Sequence, residues 1–256
     1  MDPDRNVEWE QLRSEIIGCR RCPRLVEWRE RVAREKRRAY RACTYWGRPV
    51  PGFGDRDARL VVIGLAPAAH GANRTGRMFT GDGSADTLLA ALHRVGLASQ
   101  PYSRHREDGL ELHRTYLTAV VRCAPPGNRP NSQEVLNCSP YLKRELGLLK
   151  SVRVILTLGR VAFAGYLDLL RRRGVDVPRV IPRHGDFFDL GPELPILAFS
   201  YHPSRQNTQT GRLTEAMLDD VMGRVGRLLS EDHALSGVAG SRTASLWGAM
   251  TGGGTN

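Results

Sequence analysis

Four short runs of apolar residues punctuate the chain: Leu60–Ile63, Tyr116–Val121, Val152–Leu158 and Ile196–Ser200. Each is nearly continuous rather than alternating, which is the pattern of strands buried on both faces. Helical spacing fills the stretches between and after them, at about 84–96, 132–149, 160–172 and 212–229. The second of these has a clear start, with Pro130, then Asn131 as cap and Glu134 at the third helical position. The last one aligns Leu213, Met217, Val221, Val225 and Leu228 along one stripe. Two further helices are expected at 7–18 and 24–38. Strands alternating with helices predict a parallel, doubly wound sheet. No repeat and no second core is visible, so residues 1–230 are read as one domain. Residues 231–256, small and polar and ending Gly-Gly-Gly-Thr-Asn, read as a flexible tail.

Charge changes this picture of a plain α/β protein. The 256 residues carry 38 Lys and Arg against 27 acids, a net charge of +11. Only Lys36, Lys143 and Lys150 are lysines, so the excess is arginine. Arginine forks onto phosphate and stacks on bases, which points to a nucleic-acid partner. The predicted helix at 24–38 concentrates the charge, with Arg29, Arg31, Arg34, Lys36, Arg37 and Arg38 on its polar side. No run of about 18 apolar residues exists to span a membrane. The first residues, MDPDRNVEWE, carry no apolar signal core, so a cytoplasmic protein is expected.

The five cysteines are Cys19, Cys22, Cys43, Cys123 and Cys138. An odd number without a signal peptide argues against a disulfide framework. Cys19 and Cys22 form a C-x2-C knuckle that can present two thiolates to one metal centre. Cys123 and Cys138 supply a second pair, and four thiolates suit either zinc or an iron–sulfur cluster. Cys138 also lies on the apolar face of its helix, with Val135, Leu142, Leu146 and Leu149, where a plain core cysteine would lie too. Cys43 precedes the aromatic loop Tyr45-Trp46-Gly47 and reads as structural.

In a doubly wound sheet, ligands bind beyond the carboxyl ends of the strands. Three of those exits are polar and rich in Gly, Pro and Arg. The first strand is followed by Gly64-Leu65-Ala66-Pro67-Ala68-Ala69-His70-Gly71-Ala72-Asn73-Arg74-Thr75-Gly76-Arg77, then Met78-Phe79-Thr80-Gly81-Asp82. The second leads into Arg122-Cys123-Ala124-Pro125-Pro126-Gly127-Asn128-Arg129, and the last into Tyr201-His202-Pro203-Ser204-Arg205-Gln206-Asn207. Small residues let backbone approach a ligand, Phe79 can stack on a flat ring, and His202 and Asn128 can hydrogen-bond polar edges. The dinucleotide fingerprint, the phosphate loop and the nucleophile elbow are all absent.

The first and last of these motifs, with Phe79-Thr80-Gly81-Asp82 and His202-Pro203-Ser204, closely resemble the family 5 uracil-DNA glycosylases. Cys19, Cys22, Cys123 and Cys138 are similar in order and spacing to the cluster ligands of families 4 and 5. The resemblance runs over roughly residues 12–228. It implies a three-layer αβα domain with a central four-stranded parallel sheet, a structural [4Fe–4S] cluster, and a monomer acting on DNA in the cytoplasm at the nucleoid. The implied activity is monofunctional removal of uracil and other deaminated bases, hypoxanthine among them, from a flipped nucleotide.

Within that reading Phe79 stacks on the base, and Ala66, Ala68, His70, Gly71 and Asn73 border it. His202 stabilises charge on the leaving base, with Asn128 as a further polar group. Arg74, Arg77, Ser204, Arg205 and Asn207 position the DNA strand. Leu65-Ala66-Pro67-Ala68 offers no acidic side chain where related families carry one, so Asp82, ahead of His70 and Asn73, becomes the candidate for activating water, the alternative being a dissociative route in which DNA phosphates and the pocket stabilise the sugar cation. Ala119 stands where family 4 reads uracil with Asn, which fits a broader substrate range. A basic metal-containing module that binds nucleic acid without chemistry is the alternative.

Overall fold

The computed structural model describes residues 3–177 and 179–230. The expected tail at 231–256 therefore lies outside the described residues. Helices α1 (Pro3–Gly18) and α2 (Pro23–Glu35) lead into the first strands, β1 (Phe53–Gly54) and β2 (Leu60–Gly64). They are followed by α3 (Ala72–Thr75), α4 (Gly83–Arg94), β3 (Thr115–Ala119), α5 (Ser132–Leu148) and β4 (Val154–Leu158). The chain continues through α6 (Arg160–Arg171), β5 (Phe187–Phe188), β6 (Ile196–Ser200), α7 (Arg205–Gln209) and α8 (Glu215–Ser230).

The strands form one sheet in the order β1-β3-β2-β4-β6-β5. The four apolar runs are its parallel centre, in register through Leu60↔Thr115, Leu60↔Val154 and Val154↔Ile196. Successive residues of each run serve opposite faces. Val61, Ile63, Ile155, Leu197 and Phe199 pack into one core, and Leu60, Val62, Val154, Leu156 and Ala198 into the other. Helices α1, α5 and α6 supply apolar faces to the first core, and α4 and α8 to the second. Burial on both faces is why the runs read as continuous rather than alternating.

The sheet has six strands rather than the expected four. The extra two, β1 and β5, are two-residue antiparallel edges. A pair of residues leaves no periodic trace, yet it closes the open rim of a sheet edge. Helix α2 also stops sooner than expected, at Glu35, because Lys36 turns into positive φ (55°) and residues 38–40 form a separate 3₁₀ turn. The predicted start of α5 is present as a reciprocal cap. Glu134 N donates to Asn131 Oδ1 and Asn131 N to Glu134 Oε2, both at 2.8 Å.

A buried ionic cluster binds α5 to β3 and its exit. Arg122 Nη2 donates to Glu145 Oε2 at 2.7 Å, and both side chains are 1% exposed. Thr118 Oγ1 donates to the same oxygen (2.6 Å), while Gly52 N and the Tyr116 hydroxyl donate to Oε1 (3.1 and 3.3 Å). The carboxylate is thus surrounded by donors, the condition under which a buried ion pair is tolerated. Among the described residues, no helix is long and apolar enough to cross a membrane.

Candidate active site and metal centre

Because β2, β3, β4 and β6 run parallel, their carboxyl ends open on one rim, and the loops that leave it build the candidate site. Phe79 holds a positive φ of 48° and is 9% exposed. Its ring lies against the end of β2, where a Cβ on Gly64 would stand 2.7 Å from Phe79 Cζ. The ring therefore needs glycine at 64, and the left-handed backbone at an aromatic residue is strain of the kind that collects at functional sites.

Asp82 caps α4, with Oδ1 accepting from Ser84 N (2.9 Å) and Ala85 N (3.0 Å). Oδ2 lies over Gly71, where a Cβ would stand 1.9 Å away. Burial raises the Asp82 pKa above the ordinary carboxylate range, against the opposing pull of the two amides and Arg74.

His202 follows β6 and lies beside Gly159 at the end of β4, where a Cβ would be 3.4 Å from His202 Cβ. Burial drives its pKa down to about 4, so the ring is neutral near pH 7. Its loop is fixed through the backbone, since Ser204 N and Asn207 Nδ2 both donate to His202 O at 2.8 Å. Arg205 lies over the start of α4, where a Cβ on Gly83 would be 3.2 Å from Nε. The exits of β2 and β6 therefore meet at Asp82-Gly83.

Several residues expected to touch the ligand have other work. Arg77 is 5% exposed and pairs with Asp108 at 2.7 Å, while also donating to Thr80, Ser103 and Arg106 O, so it holds no phosphate. Arg74 staples the loop internally, through His70 O (2.8 Å) and Gly81 O (2.9 Å). Asn73 is fully buried, its Nδ2 donates to Arg29 O (3.3 Å) and Ala69 O (3.4 Å), and its Oδ1 has no partner among the described residues. Gly71 N donates to Ala68 O, so this residue contributes space for Asp82 rather than a free amide. Ser204 Oγ caps α7 by accepting from Asn207 N, and Asn207 Nδ2 donates to His202 O, so each is partly engaged within its own loop.

The remaining candidates stay available. Among the described residues, the amides of Ala66 and Ala68 have no protein acceptor, and the exposed Asn128 side chain has no partner. His70 Nδ1 meets the Tyr45 hydroxyl at 3.1 Å, which leaves Nε2 for another partner. Burial, then Arg37 and Arg74, lower the His70 pKa. Arg29, read from the sequence on the polar side of its helix, is instead buried at 2% exposure, and the role of Tyr45 escaped sequence reasoning. Its one signal was the aromatic Tyr45-Trp46-Gly47 loop, which looks structural on its own.

The four cysteines come from distant parts of the chain and line one tight hollow, with Leu25, Val26 and Pro49 among its walls. Arg29 Nη1 donates to Cys123 Sγ (2.9 Å), Arg122 N to Cys138 Sγ (3.4 Å) and Asn137 Nδ2 to Cys22 Sγ (3.5 Å). The Tyr141 hydroxyl lies beside Cys19. Burial pushes the Cys123 and Cys138 thiols up to about 11 and 12. Among the described residues, no three His, Cys, Asp or Glu side chains gather tightly enough for a single metal ion. Four thiols bordering one hollow are a donor set that suits a zinc ion or an iron–sulfur cluster. Arg29 supports the same fit. It is 2% exposed, its Nε has no partner, and its head faces sulfur. Glu30 at 3.7 Å and the Cys19 carbonyl compensate that guanidinium in part, and an anionic group among the sulfurs would meet its remaining side.

The family described as the uracil DNA glycosylase superfamily matches residues 51–225. A type-5 uracil-DNA glycosylase of Mycobacterium tuberculosis is 52% identical over 219 residues, covering 85% of this chain and 81% of the relative. One from Thermus thermophilus is 51% identical over 213 residues, covering 83% and 94%. A type-4 enzyme of Pyrobaculum aerophilum is 31% identical over 168 residues, covering 65% and 68%. The chain belongs to the type-5 family of the uracil-DNA glycosylase superfamily.

Proposed function

We propose that the chain is a monofunctional DNA glycosylase that hydrolyses the N-glycosidic bond of uracil in DNA. The observation that carries this reading is the meeting of the β2 and β6 exits, which puts the Phe79 loop, Asp82 and the neutral His202 on one rim. A base stacked in a duplex is out of reach, so it must swing out of the helix, at a cost of a few kcal/mol that is least at a mismatch. Phe79 receives one face of the ring, and the amides of Ala66 and Ala68 donate to its carbonyl edge. As the C1′–N1 bond breaks, the electron pair stays with the base and negative charge grows on its ring oxygens. His202 donates a hydrogen bond to O2 and stabilises that charge without transferring a proton, as befits a ring neutral near pH 7. The sugar carries the complementary positive charge, and water adds to C1′. Asp82 is the group placed to orient that water and take its proton, leaving an abasic site and the free base.

Ala119, buried at the end of β3, offers no side-chain hydrogen bond to discriminate uracil, which supports acceptance of hypoxanthine as well. The enzyme acts on duplex DNA as a monomer, in the cytoplasm at the nucleoid. Cys19, Cys22, Cys123 and Cys138 would hold a [4Fe–4S] cluster. Bound there, it supplies cross-links between α1–α2, the β3 exit and α5. The first test is a duplex carrying uracil opposite guanine, followed by alkali. Strand cleavage only after alkali is the expected result. No cleavage by folded, iron-loaded protein overturns the reading and leaves a DNA-binding module.

A further inference from the structure

The cations expected to grip DNA phosphates, Arg74 and Arg77, are tied up inside the fold. A different set is free. Arg34, Arg37, Arg38 and Arg41 are exposed, and none of them pairs with a carboxylate among the described residues. Some surface arginines elsewhere are paired, as in Arg56–Glu10, Arg94–Asp219 and Arg172–Asp168, and others, such as Arg171 and Arg224, are scattered singly without a carboxylate partner among the described residues. Between residues 34 and 48 the only acid is Glu35. Residues 34–41 thus gather four of these free arginines, with Lys36, around a single acid, Glu35.

The segment is also fastened to the candidate site. The Tyr45 hydroxyl meets His70 Nδ1 at 3.1 Å and the backbone of Arg37 as well. The Arg74 guanidinium stacks 4.2 Å from the Tyr40 ring centroid. Trp46 N donates to Arg74 O (2.9 Å) and Gly47 N to Asn73 O (3.0 Å). Lys36 Nζ donates to Arg41 O (3.2 Å), which closes the turn on itself. The unpaired cations are therefore held at a fixed place beside the loop that borders the base.

We propose that Arg34, Arg37, Arg38 and Arg41 form a phosphate track that holds the DNA backbone next to the flipped nucleotide. The inference rests on the glycosylase reading for the identity of the polyanion, while its test reads binding rather than excision. Exposed guanidiniums without protein partners bind phosphate by displacing condensed counterions, so the interaction is independent of sequence and sensitive to salt.

The test uses the full chain with its metal, and an R37A/R38A/R41A variant. Dissociation constants for a uracil duplex and an unmodified duplex of the same length are measured by fluorescence anisotropy over a range of NaCl. The variant should bind both duplexes about 10-fold or more weakly, and its plot of log Kd against log salt should flatten by about 0.9 for each phosphate no longer neutralised. An R37K/R38K/R41K variant should recover most of the slope, because a point charge suffices for counterion release. A control with the same charge change, R171A/R224A/R227A on α6 and α8, should leave the slope nearly intact. An unchanged slope in the first variant, or an equal drop in the control, overturns the track. Failure of the lysine variant to recover would mean that these arginines act on folding, and would overturn it too. If the wild type binds and responds as described but excises no base, the track stands and the glycosylase reading falls.

Discussion

The rim at the strand ends and the cysteine hollow are built on opposite plans. The rim is made by loops, and its geometry depends on backbone: a positive φ at Phe79, two glycines that admit Phe79 and Asp82, and a His202 loop pinned through its own carbonyl. The hollow is made by helix ends and a strand exit, and its geometry depends on side chains drawn from Cys19 at one end of the chain to Cys138 far along it. The rim keeps its working groups neutral or held back from charge, as His202 and Asp82 show. The hollow sets a buried guanidinium, Arg29, against soft donors, while Arg122 touches it only through its backbone amide. Chemistry that develops charge needs a site without a fixed counter-charge of its own. A site for a resident anionic group needs the counter-charge in advance.

The sharpest way to break the hollow is Cys138→Ala. Cys138 sits on α5, so losing its thiol should open the proposed cross-link between α5 and the β3 exit. Iron and acid-labile sulfide should fall to a small fraction of the wild-type content, and thermal unfolding should shift down by many degrees. Wild-type iron content in this variant would remove Cys138 from the ligand set. Cys43→Ala should leave both readings in place, since Cys43 lies outside the hollow.

Next comes Arg77, which separates fold from DNA binding. Arg77 and Asp108 are 5% and 4% exposed, and removing one partner of such a pair leaves the other charge buried alone. Arg77→Ala should lower stability by roughly 3–5 kcal/mol, read as a shift in denaturant midpoint. The salt dependence of DNA binding should not change. A flattened salt slope with wild-type stability would return Arg77 to the phosphate track. Burial opposes ionisation of Asp108, but Arg77 and the amides of Arg104 and Leu110 hold its pKa below the ordinary range. Its contribution is therefore present above the unfolded-state value and fades as the pH drops through the lower folded one.

His202→Ala tests the rim directly. Removing one donor to the developing anion should lower single-turnover excision of uracil by about 10² or more. Near-normal turnover would take His202 out of the mechanism. The imidazole also gives a pH signature. Its folded pKa of about 4 lies below the ordinary 6.5, so the unfolded chain binds a proton that the folded one refuses. That contribution is complete above about pH 6.5 and is lost as the pH falls toward 4. The His202→Ala protein should accordingly lose less stability than the wild type over that window.

The parallel centre of the sheet was legible because Leu60–Ile63 and its three counterparts are covered on both faces, and continuous apolar runs are the direct mark of that. The Asn131–Glu134 cap was legible because it closes within one turn. The edge strands were not, since Phe53-Gly54 and Phe187-Phe188 are pairs whose only signal is their partner strand. In the site, Phe79, His202 and the four cysteines stood out by residue type and motif. What side chains are occupied with did not. Arg77 and Arg37 look alike in a sequence, and only the fold brings Asp108 to one and leaves the other bare. The burial of Asn73, with its Nδ2 on the carbonyl of Arg29, is likewise seen only in the fold.

Asp82 is where the smallest stability effect resolves the largest ambiguity about the rim. Its Oδ1 caps α4 while Oδ2 faces the loop at Gly71, so one residue serves a helix and offers a base. Asparagine caps a helix about as well as aspartate, and alanine costs about 1 kcal/mol. Asp82→Asn should therefore keep wild-type stability, whereas Asp82→Ala should lose about that much. With the cap preserved, any fall in excision by the Asn variant belongs to the missing charge and not to a frayed α4. A drop on the order of 10² is the outcome expected of a group that takes the proton from water. The wild-type rate should also rise with pH through a value above the ordinary 3.8, since burial raises the Asp82 pKa and only the ionised form can accept that proton. Full activity in Asp82→Asn, with the same pH profile, would leave the sugar cation to be stabilised by the DNA phosphates and the pocket alone. Asp82 would then be a helix cap that happens to border the base.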